Sequence, residues 1–283
     1  MPELPEAESV VRGLRAHLPR GGIESVEVAH GDLIRGDVDA FRRELMGRRL
    51  DRVLRRGKNV VLALDPEAFL VVNLGMTGRL VPRRPSAHGD EPTHPGVIFR
   101  LQDGHRLVYH DPRRFGSLEL HDPASFRVWS ERLGPEPLDR AFTARRLADL
   151  LSRSRAPIRS WLLDQRRVAG VGNIYANEAL HRAGIHPRRP AGELTMEETK
   201  ALHRGLRAIL RSAVAEGGTT LRDFRDPAGK EGRFRDALRV YGREGRPCPR
   251  CGAPVRREVF GGRSAFLCPG CQPPPRAPGF TPR

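Results

Sequence analysis

The sequence predicts an α+β protein in three successive pieces: a β-sandwich or barrel led by one helix, a helical block, and a cysteine-bearing C-terminal hairpin. Three observations carry this. Short β-like segments ("IESVEV", "RRLDRVLRRG", "NVVLALD", "FLVVNLGM", "GVIFRLQDG", "HRLVYHD", "GSLELHD") follow one another up to His121, separated by Gly, Asp or Pro turn signals. From Phe142 the apolar spacing becomes helical. All four cysteines then fall between residues 248 and 271.

The chain opens "MPELPEAESVVRGLRAHL". Pro2 or Pro5 suits the first turn of a helix, where a missing N–H costs nothing. Glu3, Glu6 and Glu8 favour a helix N-terminus through its dipole. Val10, Val11, Leu14 and Leu18 recur at helical spacing and predict a core face. Within the β-block, "LQDGHRLVYHD" predicts a hairpin turning at Asp103-Gly104. This block runs to about residue 134, and "RLGPEPLDR" (132–140) reads as a Pro-broken linker. Four helical stretches follow. "TARRLADLLSRS" is capped by Thr143, and "APIRSWLLDQ" and "NIYANEALHRAGI" come next. "TMEETKALHRGLRAILRSAVAEG" has a capping box of Thr195 and Glu198. Gly184 and Gly217-Gly218 mark helix stops. From about residue 220 the chain is polar and irregular, and the Pro-rich tail over 274–283 is expected to be disordered.

Charge narrows the function. The 283 residues carry 50 basic and 34 acidic side chains, a formal net charge of +16. Lys58, Lys200 and Lys230 are the three lysines, which leaves 47 arginines. That balance points to a polyanionic partner, and guanidinium groups suit forked phosphate contacts. No stretch approaches the ~20 apolar residues of a membrane span. The N-terminus lacks a basic region followed by an apolar core. The expectation is a soluble, cytoplasmic, monomeric protein that works without a membrane.

Four motifs carry chemistry. Cys248-x2-Cys251 and Cys268-x2-Cys271, sixteen residues apart, match a tetrahedral thiolate site for one structural Zn2+. Two disulfides are the alternative, disfavoured in a reducing compartment. "LLDQRRVAGVGNIYANEAL" (162–180) places Gly170 and Gly172 before a helix with Asn173 at its cap, where free N–H groups can hold a phosphate. "HDPRRFGSL" (110–118) offers an Arg–Phe pair on a loop, suited to insertion into a base stack. "RRGKNVV" (55–61) puts Lys58 at a strand start.

Eight segments occur in order: "PELPE", "RRGKNVVLAL", "NLGMTGRL", "HDPRRFG", "AGVGNIYANEAL", "GGTTLRDF", "RVYGREGRPCPRCG" and "GGRSAFLCPGCQ". Together they closely resemble the bacterial formamidopyrimidine-DNA glycosylase family, over residues 2 to about 272. The resemblance implies an N-terminal β-sandwich catalytic domain (1–134) and a helix–two-turn–helix DNA-binding domain (135–225). A zinc hairpin (235–273) and a tail complete it. It implies a glycosylase/lyase that removes 8-oxoguanine and formamidopyrimidines from duplex DNA and then cleaves the strand.

By that resemblance, removal of Met1 leaves the secondary amine of Pro2 as the nucleophile. An α-amino group of pKa about 7.7–8.0 is partly neutral near neutral pH. Glu3 matches the acid that assists sugar-ring opening, and Glu6 the second carboxylate of the site. Lys58, Asn173 and Arg263 match the grips on the phosphates flanking the lesion, with Lys58 and Arg263 also serving the eliminations. Met76, Arg113 and Phe115 match the residues that fill the gap left by a flipped base. His94 and Arg155 match backbone contacts. The "EGGTTLRDF" loop (216–224) corresponds to the loop that closes over the flipped base. Arg222 stands where lysine is common, and Asn73 where histidine is frequent. Leu4 and the "DPRRFG" stretch separate the chain from its pyrimidine-lesion relative, endonuclease VIII. A zinc-containing DNA-binding protein without catalysis is the remaining alternative; it has no use for Pro2, Glu3, Lys58, Asn173 and Arg263 together.

Overall fold

The structure is a computed structural model that describes residues 2–17, 21–85 and 95–275. The chain divides into two compact units, 1–132 with 213–235, and 133–212 with 236–283.

The first unit begins with helix α1 (Leu4–His17). Strand β1 (Ile23–Val28), helix α2 (Val38–Leu45) and strands β2 (Arg49–Arg56), β3 (Asn59–Asp65) and β4 (Ala68–Asn73) follow. Strands β5 (Arg79–Arg83), β6 (Pro95–Leu101), β7 (Arg106–His110) and β8 (Ser117–His121) and helix α3 (Pro123–Glu131) complete the run. The strands form two antiparallel four-stranded sheets, ordered β1-β6-β7-β5 and β2-β3-β4-β8. A sandwich therefore replaces the sandwich-or-barrel alternative. Val26, Phe99 and Leu107 from one sheet share a buried core with Leu62, Leu70 and Leu118 from the other. Val10, Val11 and Leu14 of α1 join that core, as their spacing predicts. The run "NVVLALD" is β3, a strand flanked on both sides by neighbours and buried from Val60 to Leu64. Burial on both faces is why it shows no alternation. The Asp103-Gly104 turn joins β6 to β7, with Gly104 at φ +81°.

Three elements lie outside the expected set. Helix α2 is capped by Asp37, whose side chain accepts from the Ala40 N–H, and α3 by Asp122 with Pro123 in its first turn. Strand β5, "RLVPR", is short and carries a proline beside β7, which muted its signal.

In the second unit, helices α4 (Ala144–Leu151), α5 (Ile158–Leu163), α6 (Asn173–Ala183) and most of α7 (Met196–Ala215) precede a hairpin of β9 (Arg256–Phe260) and β10 (Arg263–Leu267). Thr143 caps α4 through the Arg146 N–H. The Thr195–Glu198 box is formed in both directions: the Thr195 N–H donates to Glu198 Oε2 at 2.8 Å, and the Glu198 N–H donates to Thr195 Oγ1 at 3.2 Å. Gly184 ends α6 at φ +72°. Asn173 is the first residue of α6, one place inside the cap expected from sequence; Gly172 occupies the cap.

The end of α7 returns to the first unit. Gly217 and Gly218 turn the chain at φ +73° and +89°. The Thr219 N–H then donates to Glu6 Oε1 at 2.7 Å, and the Phe234 N–H donates to the Gly218 carbonyl at 3.0 Å. A Cβ on Gly218 would lie 2.8 Å from Glu6 Oε1. Gly218→Ala therefore adds left-handed strain and displaces a buried carboxylate. We expect a loss of about 1–3 kcal/mol in denaturant unfolding. An unchanged midpoint would show that this turn is not held as described.

Candidate active site and zinc hairpin

In the first unit, the head of α1 is buried rather than solvated. Pro2 is buried, and Glu3 and Glu6 are 2% and 1% exposed. Buried carboxylates are costly unless hydrogen-bonded. Glu6 meets this requirement with two backbone donors: the Glu3 N–H to Oε2 at 2.7 Å and the Thr219 N–H to Oε1. The first bond fixes the backbone immediately after Pro2. The dipole reading of these acids is thus incomplete, because Glu6 serves as a bracket between two segments.

Lys58 sits half-buried in the two-residue turn between β2 and β3, after Gly57 at φ +58°. The turn is tied down on its far side. Asn59 Nδ2 donates to the Arg56 carbonyl at 3.2 Å, and Asn73 Nδ2 donates to Asn59 Oδ1 at 2.9 Å. Asn73 Oδ1 in turn accepts from the Gly75 N–H at 2.9 Å. One asparagine pair therefore links the Lys58 turn to the loop bearing Met76.

Met76 and Phe115 are 40% and 58% exposed, large apolar surface for two loop residues. Their loops interlock: a Cβ on Gly75 would lie 2.5 Å from the Phe115 carbonyl carbon and the Gly116 nitrogen. Buried Asp111 anchors both. It accepts from Thr77 Oγ1 at 2.5 Å and from the Gly116 N–H at 2.7 Å. The Tyr109 hydroxyl also donates to it, at 3.3 Å, and burial followed by the Asp111 charge raises that phenol's pKa, so it stays protonated. Arg113 lies over the Phe115 ring at 4.7 Å, and Arg114, at φ +53°, is the one described non-glycine residue with positive φ. The result is a rigid base beneath an exposed Met–Arg–Phe tip.

In the second unit, Asn173 and Arg263 are joined through a residue the sequence did not flag. Arg159 is 1% exposed. Its Nη2 donates to Asn173 Oδ1 at 2.7 Å, to the Ser264 carbonyl at 2.9 Å and to the Arg263 carbonyl at 3.4 Å. Burial first, and the Arg263 charge second, lower its pKa. Asn173 Nδ2 also donates to the Ser264 carbonyl at 3.0 Å. Asn173, Arg257, Arg263 and Ser264 line one open cleft, with the Arg263 side chain exposed. Arg159 has no motif signal: its role comes from Asn173 on the next helix and from the Arg263 and Ser264 carbonyls, more than a hundred residues away. Arg155 and Arg222 are exposed on their units' surfaces. His94 and residues 276–283 lie outside the described residues.

The four cysteine sulfurs lie within 4.8 Å of one another, with Cys248–Cys271 at 3.9 Å and Cys251–Cys268 at 3.3 Å. A zinc tetrahedron with bonds of about 2.3 Å has sulfur–sulfur edges of ~3.8 Å. The set therefore fits one zinc ion held by four thiolates, with no position left for substrate. Glu178, buried on α6, holds the approach to this region. Its carboxylate accepts from the N–H groups of Arg239, Val240 and Tyr241 at 2.8–3.1 Å. His181 Nε2 lies 3.3 Å from Cys248 Sγ.

Cys268→Ser should release the metal and disorder the hairpin that carries Arg263, because the binding energy of a structural zinc is folding energy. Metal content by mass spectrometry and hydrogen exchange across 245–272 test this. A variant that retains one zinc per chain with unchanged protection would refute it.

Comparison with known proteins agrees piece by piece. Residues 1–118 match the formamidopyrimidine-DNA glycosylase N-terminal domain, 133–225 its H2TH domain, and 245–274 the zinc finger found in FPG and IleRS. The formamidopyrimidine-DNA glycosylase of Desulforamulus reducens is 43% identical over 281 residues, covering 96% of this chain and 99% of the relative. That of Paracoccus denitrificans is 44% identical, covering 96% and 100%. The crystal structure of the MutM (Fpg) protein of Thermus thermophilus superposes with a TM-score of 0.86 at 42% identity, covering 96% and 98%. Lactococcus lactis Fpg in complex with abasic-site DNA gives 0.87 at 30% identity, covering 96% and 100%. With three successive domain matches and near-complete alignment to these relatives, the chain belongs to the formamidopyrimidine-DNA glycosylase family.

Proposed function

We propose that Pro2 is the nucleophile of a bifunctional DNA glycosylase/lyase and that Glu3 is the acid beside it. The chain is a formamidopyrimidine-DNA glycosylase: it excises oxidised purines from duplex DNA and cleaves the resulting abasic site. The observation that best supports the residue assignment is the Glu6 bracket, which gives the buried Pro2–Glu3 segment one backbone course instead of a frayed end. A pre-positioned amine saves the entropic cost of ordering it at each turnover.

The chemistry follows from these groups. After Met1 is removed, the Pro2 nitrogen carries a lone pair. The damaged base leaves the stack. The nitrogen attacks C1′, the bond from C1′ to the base breaks, and the base departs with a proton. Glu3 protonates the ring oxygen as the sugar opens, which leaves an iminium between Pro2 and C1′. That cation acidifies the C2′ proton. Its loss drives β-elimination of the 3′ phosphate, and a second elimination expels the 5′ phosphate. Water then hydrolyses the iminium and restores the amine. Lys58, Asn173 and Arg263 hold the flanking phosphates, and Lys58 and Arg263 exchange protons in the eliminations. The exposed tip of Met76, Arg113 and Phe115 fills the vacated stack and faces the orphaned base. His94 and Arg155 add backbone contacts, and the formal +16 charge brings the chain to DNA. No described helix is long and apolar enough to cross a membrane, and a DNA substrate supports a working place in the cytoplasm with the nucleoid.

Two variants separate catalysis from stability. Pro2→Gly replaces the ring-held secondary amine with a mobile primary one, and Glu3→Gln removes a proton donor. Each should slow single-turnover excision by about 10²-fold or more while duplex binding stays near wild type, because neither touches a phosphate grip. Excision and melting temperature should be read on the same samples. Normal excision with a lowered melting temperature would reduce the opening stretch to a helix start.

A further inference from the structure

We propose that His181 is a positioning residue of the zinc hairpin, donating its Nε2–H to the Cys248 thiolate and so tying the metal centre to helix α6.

The geometry comes from one stripe of α6. Asn173, Asn177 and His181 are four residues apart and so share a helix face. Each reaches the C-terminal segment. Asn173 Nδ2 donates to the Ser264 carbonyl at 3.0 Å, Asn177 Oδ1 accepts from the Phe266 N–H at 2.9 Å, and His181 Nε2 lies 3.3 Å from Cys248 Sγ. The stripe thus runs from the phosphate-gripping end of α6 to the metal cluster, and His181 is its metal end.

The protonation of the ring follows from its surroundings. His181 is 1% exposed, and its Nδ1 has no hydrogen-bond partner among the described residues. With the proton on Nδ1, a buried donor would be left unsatisfied and the Nε2 lone pair would face sulfur lone pairs. With the proton on Nε2, the ring's one donor points at the sulfur. A zinc-bound Cys248 is a thiolate, which can only accept. It is also 3% exposed, and water cannot supply that donor; the Arg250 N–H, at 3.4 Å, supplies one more. Hydrogen bonds to a ligand atom hold it in place and tune its hold on the metal. Loss of this one should therefore loosen zinc and, through it, the strand that carries Arg263.

The test uses the full-length, metal-loaded protein. In the unsubstituted chain with 113Cd in place of zinc, the His181 Hε2 proton should show a scalar correlation to the metal across the N–H···S link. The imidazole nitrogens should report the Nε2–H tautomer. His181→Phe keeps a ring of similar size without the donor and should weaken zinc retention against a chromogenic chelator by about 10–100-fold. His181→Gln, which can present an amide N–H near the Nε2 position, should recover most of it. An Nδ1–H tautomer, or His181→Phe holding zinc as tightly as wild type, overturns the proposal, as does a chain that binds no metal. The cadmium measurement needs no variant, so poor folding of His181→Phe leaves the decision intact. None of these readouts depends on base excision, so they stand apart from the assignment of Pro2.

Discussion

The first unit depends on one buried carboxylate. Glu6 collects two backbone N–H groups, one from Glu3 at the head of α1 and one from Thr219 after α7, 213 residues further along the chain than Glu6. The constraint works in both directions. The carboxylate can stay buried because it is hydrogen-bonded, and the Glu3 and Thr219 backbones are fixed because their donors have one acceptor to satisfy. It also explains the glycine beside it. Gly218 adopts φ +89° with Glu6 Oε1 where a side chain would begin, so the turn needs both left-handed freedom and an absent Cβ.

The second unit uses the same arrangement with opposite charge. Arg159 is a buried cation whose described hydrogen bonds go to neutral oxygens, those of Asn173 and of the Arg263 and Ser264 main chain. Such a cation is expensive, and carbonyl acceptors offset only part of the cost. What the arrangement gains is position. Asn173 at the start of α6 and the strand bearing Arg263 are held against one guanidinium, while the Arg263 side chain itself stays exposed. In both units a buried ionic group thus fixes the backbone of a proposed site segment: Glu6 that of Pro2–Glu3, and Arg159 that of the strand bearing Arg263. Asp111 does the same beneath the Met76–Phe115 tip.

Sequence reading found what is local. The α1 apolar face, the Thr195–Glu198 box, the Asp103-Gly104 hairpin and the paired cysteines are each encoded within a few residues, and each is present. It missed α2 and α3 although Asp37 and Asp122-Pro123 are ordinary start signals, because the surrounding β-pattern dominated the reading. It placed Asn173 one residue early, an error of helix-boundary size. The larger omissions share another cause. Arg159, Asn177 and His181 look like ordinary helix residues, and Glu6 like a favourable first-turn acid. Their roles appear only when strands and turns distant in sequence pack against them. Motif resemblance marked the residues proposed to meet the substrate; the groups that hold them are visible only in three dimensions.

The central claim is that the chain's own N-terminal nitrogen, fixed by the Glu6 bracket, forms the covalent bond to DNA. The most direct measurement is borohydride reduction of the enzyme on a duplex carrying an oxidised purine, followed by proteolysis and mass mapping of the DNA-bearing peptide. The account predicts one adduct per chain, with the sugar on the nitrogen of Pro2. A sugar attached to Lys58 Nζ, or base excision with no trapped adduct at all, would contradict it.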